Sequence, residues 1–239
     1  LLDKVGITAE FYARHEYKNA AASFLNSAFT PQYREETERL GQSLYDRIVA
    51  DVCADRKLDE NIFRRLVNRA PLSADEGLKE GLIDKTAFKP DLLEKVLDET
   101  KGEMIDVYDY AYSLEESGKK LPTIAFLVVD GTISGGKSLS NPLQGESIVG
   151  SETLIQQLDE IANNKYVKAL LLRINSPGGS YTASAEIWNA LSRLKEKRKL
   201  PIVVSMGDYA ASGGYFIALP GDKILAEAST VTGSIGVLG

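Results

Sequence analysis

Ser212 stands in Tyr209-Ala210-Ala211-Ser212-Gly213-Gly214-Tyr215, just after the apolar run Ile202-Val203-Val204. A serine where a strand turns into a helix, flanked by small residues, can serve as a nucleophile. The small neighbours let a substrate backbone approach, and the helix N-terminus favours a developing oxyanion. A second loop of the same kind, Asn175-Ser176-Pro177-Gly178-Gly179-Ser180, follows the apolar run Ala169-Leu170-Leu171-Leu172. On neighbouring parallel strands the two turns would lie side by side at one sheet edge, where open α/β sheets place their sites.

Each feature also has a plainer reading. Ser212 could be only a helix N-cap, and Pro-Gly-Gly is common turn chemistry. A nucleophilic serine needs a base. The chain has a single histidine, His15, which could work with Asp208 or another acid, and Lys18 follows three residues later in Tyr17-Lys18-Asn19-Ala20-Ala21-Ala22. Spacing alone does not choose between them. A lone histidine is more often structural and a lone lysine more often a surface residue.

The segment Gly131-Thr132-Ile133-Ser134-Gly135-Gly136-Lys137-Ser138 fits the P-loop pattern at every fixed position. A P-loop must run straight into a helix. Here Pro142 and Gly145 would break a helix begun after Ser138, so the segment reads as a loop and not as a nucleotide site.

These turns need strands and helices behind them, and the C-terminal half supplies both. Strands are expected at 124–129, 169–174, 202–206 and 224–226. The second is apolar throughout, as a doubly covered parallel strand would be. Leu154, Ile155, Leu158 and Ile161 mark one intervening helix. Ala183, Ile187, Ala190, Leu191 and Leu194 mark another. This alternation argues for an α/β parallel sheet.

Residues 1–118 read instead as mostly helical. Thr30-Pro31 starts a long helix with Leu40, Leu44, Ile48 and Val52 as its stripe. Asp59 caps a helix through Ile62, Phe63 and Leu66, and Ser73 to Glu76 is a capping box opening a short helix that stops at Gly81. A further helix is expected at 91–100, and Glu115 to Lys120 reads as a linker.

With 44% hydrophobic and 26% charged residues, the chain can build a core. A net charge of -6 argues against a nucleic-acid partner. The basic run Lys195 to Lys199 suits a solvated helix end. The single cysteine, Cys53, permits no internal disulfide and no cysteine-based metal site, and it falls on an apolar helix face. No apolar run approaches the ~20 residues of a membrane span. The chain begins at Leu1 and reads as a piece of something longer.

Four segments together resemble the signal peptide peptidase A (protease IV) family. They are Arg173-Ile174-Asn175-Ser176-Pro177-Gly178-Gly179-Ser180, Ala210 to Tyr215, Thr232-Gly233-Ser234-Ile235-Gly236, and the lysine segment Tyr17-Lys18-Asn19-Ala20. The resemblance covers nearly the whole chain. It implies a Clp/crotonase-like parallel sheet core with flanking helices, and a serine peptidase with a Ser–Lys dyad. Ser212 would be the nucleophile and Lys18 the base. The oxyanion hole would use Gly213 and one of Gly178 or Gly179, and Ser234 would orient the lysine. No metal, nucleotide or organic cofactor is implied. The lysine must be neutral to accept a proton, which predicts a rate rising toward alkaline pH.

In a single repeat of this family the strand-rich core precedes the lysine segment. Here Lys18 and Gly81-Leu82-Ile83-Asp84 come first, as in the long, duplicated form. The expectation is that 1–118 holds the C-terminal part of a first repeat and 119–239 the nucleophile-bearing core of a second. The resemblance further implies peptide substrates such as released signal peptides and a homo-oligomer. It also implies a membrane anchor outside this fragment, with the site on the extracytoplasmic side of a bacterial inner membrane or in a plastid equivalent. A crotonase-like acyl-CoA enzyme is the rival, since it would share the fold and the glycine-rich loops.

Overall fold

Alternation of buried and exposed residues along the C-terminal strands builds a sheet with one well-sealed face. The computed structural model describes residues 4, 6, 8, 10–12, 14–107, 110, 121–141 and 146–236. The chain forms two compact units, one of Leu1–Gly41 with Leu121–Gly239 and one of Gln42–Lys120. The linker expected at Glu115 to Lys120 lies outside the described residues.

In the first unit, β1 (Thr123–Asp130) pairs in parallel with β5 (Val167–Ser176), and β5 with β6 (Ile202–Ala211). The far edge of β6 is shared. β7 (Lys223–Leu225) runs along Val203 to Ser205, and β8 (Val231–Gly233) along Tyr209 to Ala211, both parallel. The helices α6 (Ser151–Asn163), α7 (Tyr181–Arg198) and α8 (Gly213–Ala218) connect these strands. The α/β parallel sheet with flanking helices is therefore present as expected.

Leu170, Leu172 and Ile174 of β5 and Ile202 and Val204 of β6 are fully buried. They pack with Leu154 and Leu158 of α6 and with Ile187 and Leu191 of α7. Each such side chain contributes roughly 1.5–3 kcal/mol by leaving water. The opposite face departs from the double cover expected for β5. Ala169, Leu171 and Arg173 are half-buried there, and Ile124, Phe126 and Val128 of β1 are exposed.

Two expectations on this unit are corrected. The segment Gly131 to Ser138 is not a loop over its whole length: it contains β2 (Thr132–Ser134) and leads into β3 (Leu139–Asn141). Both strands pair with β4 (Glu146–Gly150), in parallel and antiparallel respectively. Lys137 therefore precedes a strand and not a phosphate-binding helix. The strand expected to end at Met206 continues to Ala211 through an irregularity. Ile174 faces Met206 while Ser176 faces Ala210, so β6 carries two extra residues. The Asn175 side chain fills that irregularity, donating to Asp130 Oδ1 at 2.8 Å and accepting from Tyr209 N–H at 3.2 Å.

In the first unit, α1 is a single turn (Ala22–Leu25), and α2 spans Pro31–Arg56, with its residues from Gln42 onward in the second unit. In the second unit, α3 (Glu60–Arg69) is capped by Asp59, which accepts from Asn61 and Ile62 N–H. The expected capping box opens α4 (Ala74–Lys79), with Ser73 and Glu76 bonded reciprocally. Gly81 ends that turn at φ +76°, and α5 covers Lys89–Thr100. The apolar stripe of α2 is shifted from the expected one. Val49 and Cys53 are buried against Phe63, whereas Leu40 and Ile48 are exposed. Burial pushes the Cys53 thiol pKa up. Among the described residues no helix is long and apolar enough to cross a membrane.

Candidate active site

The site forms where β5, β6 and β8 end together. β6 delivers Ser212 at the N-cap position of α8 with φ 51° and ψ -117°, a positive-φ conformation outside the regions open to residues with a Cβ. Such a conformation costs of order 1–3 kcal/mol and persists only where the surroundings hold it. Here Ser212 N–H donates to Gly233 O at 2.8 Å, and Ser212 O accepts the first helical bond from Phe216 N–H at 2.9 Å. The Ser212 side chain makes no capping hydrogen bond. The plain N-cap reading therefore does not account for the serine.

The Gly178-Gly179 loop lies against this turn. Gly178 N–H donates to Ser176 Oγ at 3.1 Å, and Gly178 O accepts from Ile133 N–H at 2.8 Å. Both backbone groups of Gly178 are thus engaged. Gly178 has φ +100°, and a Cβ there would stand 2.6 Å from Gly213 N and 2.8 Å from Ser212 Cβ. Only glycine lets the two loops approach this closely. Gly179 is exposed, and no hydrogen bond from its N–H occurs among the described residues.

Lys18 approaches from the N-terminal segment of the same unit. Its Nζ donates to Ser234 Oγ at 2.9 Å and to Ser234 O at 3.0 Å. Ser234 comes directly after β8 and has φ 50°. The backbone that bonds the Ser212 N–H therefore continues into the residue that holds the lysine amine. Lys18, Gly179, Ser212 and Gly213 line one cavity of about 610 Å³. Its remaining wall is largely apolar, with Tyr181, Phe216, Leu219 and Ile235.

Residues 1–102 and 194–239 match the model of peptidase family S49. The chain belongs to that family. The matched stretches contain Lys18, Ser212, Gly213 and Ser234, and Gly178 and Gly179 fall between them. The S49 chain is 32% identical over 253 residues to Protease 4 of Salmonella typhi, across 100% of its own length and 40% of that protein. It is 30% identical over 254 residues to the chloroplastic serine protease SPPA of Arabidopsis thaliana, across 100% of itself and 36% of that protein. It is also 40% identical over 123 residues to the putative signal peptide peptidase SppA of Enterococcus faecium, across 52% of itself and 35% of that protein. The chain thus spans about two fifths of the length of the first two relatives.

Of the two candidate bases, the S49 chain brings only Lys18 into the cavity. His15 is exposed, and its carbonyl accepts the Lys18 backbone N–H at 3.4 Å. Neither His15 nor Asp208 lines the cavity. The sequence reading missed Ser184, a fully buried residue of the cavity wall whose Oγ donates to Ser180 O at 2.8 Å. It also missed the aromatic wall. Tyr181 and Ser184 of that wall fall at spacing i, i+3, which places them on one helix face. That spacing was a usable signal.

Proposed function

We propose that this chain carries the catalytic centre of a serine peptidase, with Ser212 as nucleophile and Lys18 as general base. The supporting observation is the convergence of the Lys18 amine, fixed by Ser234, and the strained Ser212 turn on one cavity. Ser212 Oγ attacks the scissile carbonyl while its proton passes to neutral Lys18 Nζ. The tetrahedral oxyanion is received by the N–H groups of Gly213 and Gly179. Gly179 is preferred to Gly178 because the Gly178 N–H is already bonded to Ser176. Collapse expels the amine, which takes the proton from Lys18 and leaves an acyl-enzyme. Lys18 then deprotonates a water that hydrolyses this ester. Ser234 orients the lysine through its hydroxyl and carbonyl.

The substrates on this reading are peptides, released signal peptides among them, in keeping with the names of the relatives and with the apolar cavity wall. Membrane association through a segment outside this sequence, on the extracytoplasmic side or in a plastid, belongs to the same proposal. So do a homo-oligomer and the division into the end of one repeat (1–118) and the core of a second (119–239).

The test is hydrolysis of a fluorogenic peptide panel and of casein across pH by wild type, Ser212→Ala, Lys18→Ala and His15→Ala. Loss of turnover in the first two variants, with folding intact, is expected. Turnover that survives Lys18→Ala but dies with His15→Ala would move the base. No peptidase activity in wild type, together with acyl-CoA binding, would favour the crotonase-like alternative.

A further inference from the structure

We propose that a groove along α7, running away from the Ser212 cavity, is an extended subsite for a neutral, apolar stretch of the same polypeptide that is cut at Ser212. This rests on the peptidase reading above. The cavity wall does not stop at Phe216. Tyr181 stacks on Phe216 with centroids 5.9 Å apart and planes 5° apart, and Trp188 stacks on Phe216 at 5.8 Å and 16°. These rings form a continuous ladder, yet they remain accessible, with Tyr181 62% and Trp188 37% exposed.

Trp188 opens a second cavity of about 590 Å³, lined further along α7 by Ser192 and Lys195. Leu219, 48% exposed, lines both cavities and forms their shared border. Tyr181, Ser184, Trp188, Ser192 and Lys195 are spaced by three or four residues, so they lie along one helix face. At ~1.5 Å per residue, the path from Tyr181 to Lys195 measures about 21 Å, the span of about six residues in extended form.

The occupant's chemistry is set by the wall. Stacked aromatics and Leu219 offer apolar surface left in water, the usual mark of a binding face. The far end has no net charge: Lys195 Nζ bonds Asp222 at 2.8 Å and Pro220 O at 2.9 Å, and the two other charged residues that line it, Glu196 and Lys199, are of opposite sign. A segment of one charge sign gains nothing there. Continuity with the catalytic cavity through Leu219 selects the substrate chain itself as occupant.

Trp188 is the sole tryptophan of these 239 residues, and the emission that Trp188→Phe removes from Ser212→Ala reports occupancy of this groove without turnover. The probes are neutral apolar peptides of four and ten residues, titrated into Ser212→Ala and used as substrates of wild type, Trp188→Ala and Ser192→Arg. Ser192→Arg fills the groove from its rim and guards against a folding defect in Trp188→Ala. The ten-residue peptide should shift Trp188 emission and bind about tenfold more tightly than the four-residue one, a difference of ~1.4 kcal/mol. Both variants should raise KM about fivefold for the long peptide and leave KM for the short one within about twofold.

Equal affinity and equal KM effects for the two lengths would overturn the subsite. Emission that tracks protein concentration and not peptide would assign the groove to a second copy and overturn it too. If wild type cleaves nothing while the long peptide still shifts emission, the peptidase reading fails and the subsite proposal falls with it, leaving a peptide-binding groove without cleavage. Cleavage that depends on Ser212 but ignores Trp188 and Ser192 leaves the peptidase and removes the groove.

Discussion

Gly178→Ala tests the loop geometry most directly. The added methyl would meet Gly213 N at 2.6 Å, Ala211 O at 2.8 Å and Ser212 Cβ at 2.8 Å. Two of these are backbone atoms, which no rotamer change can clear. Ordinary carbon contacts lie at ~3.5–4.0 Å, so the two loops must part by about 1 Å. The left-handed φ of +100° adds strain of roughly 1–3 kcal/mol. Displacement of this size in a reacting centre lowers rate about a hundredfold. The strain should lower Tm by about 2–12 °C for a chain of this length, at roughly 2–4 °C per kcal/mol.

The assay is peptide hydrolysis normalised to sites titrated with a serine-reactive fluorophosphonate, beside thermal melting. Gly135→Ala is the control, since a Cβ there meets nothing within 4 Å and its backbone is not left-handed. It should keep wild-type kcat. If titrated Gly178→Ala sites turn over within about threefold of wild type, the apposition of the two loops does not position the nucleophile and the reasoning fails.

Ser234→Ala removes one of the two acceptors on Lys18 Nζ, so kcat should fall about tenfold to a hundredfold, the value of a hydrogen bond to the ammonium that forms as Lys18 takes the proton; unchanged kcat would refute the orienting role. Lys18→Arg keeps a cation that cannot be deprotonated in a protein, so its turnover should match that of Lys18→Ala at every pH, and a residual alkaline rise would contradict Lys18 as base. The Lys195 ammonium, with the Ile202 N–H, holds the Asp222 carboxyl below its usual pKa. A depressed acid stabilises above its unfolded value of ~3.9 and loses that contribution as pH falls through its folded value. Urea midpoints of wild type should therefore drop more steeply below about pH 4 than those of Asp222→Asn, and parallel curves would remove Asp222 from the acid response. Cys53 is buried, so an aromatic disulfide reagent should modify it only on unfolding, and fast native labelling would contradict the packing of α2.

The elements that position the proposed nucleophile were legible because each carries its own periodic signal. β5 and β6 are runs of branched apolar residues, and α6 and α7 repeat apolar residues at helical spacing. The two glycine-rich turns were legible for a similar local reason, since small residues between a strand and a helix have few other uses. What stayed hidden lacks periodicity. β3 and β8 have three residues each, too few for a pattern. The two extra residues of β6 depend on Asn175, a side chain from another strand. On α2, Leu40 and Val49 look alike in sequence, and only the position of Phe63 decides which face is buried.

The same distinction explains why spacing could not choose between His15 and Lys18. They are three residues apart, and both are remote from Ser212 in the chain. The geometry that favours Lys18 comes from β8, which local sequence does not announce. Pairing of Val231 to Gly233 with Tyr209 to Ala211 brings Gly233 O onto the Ser212 N–H. The next residue, Ser234, then holds the Lys18 amine through two acceptors. One short strand thus sets both the backbone of the proposed nucleophile and the place of the proposed base. Because β8 buries little apolar surface, its contribution to the core is small while its geometric control is large. Damage there should appear in turnover well before it appears in the melting curve.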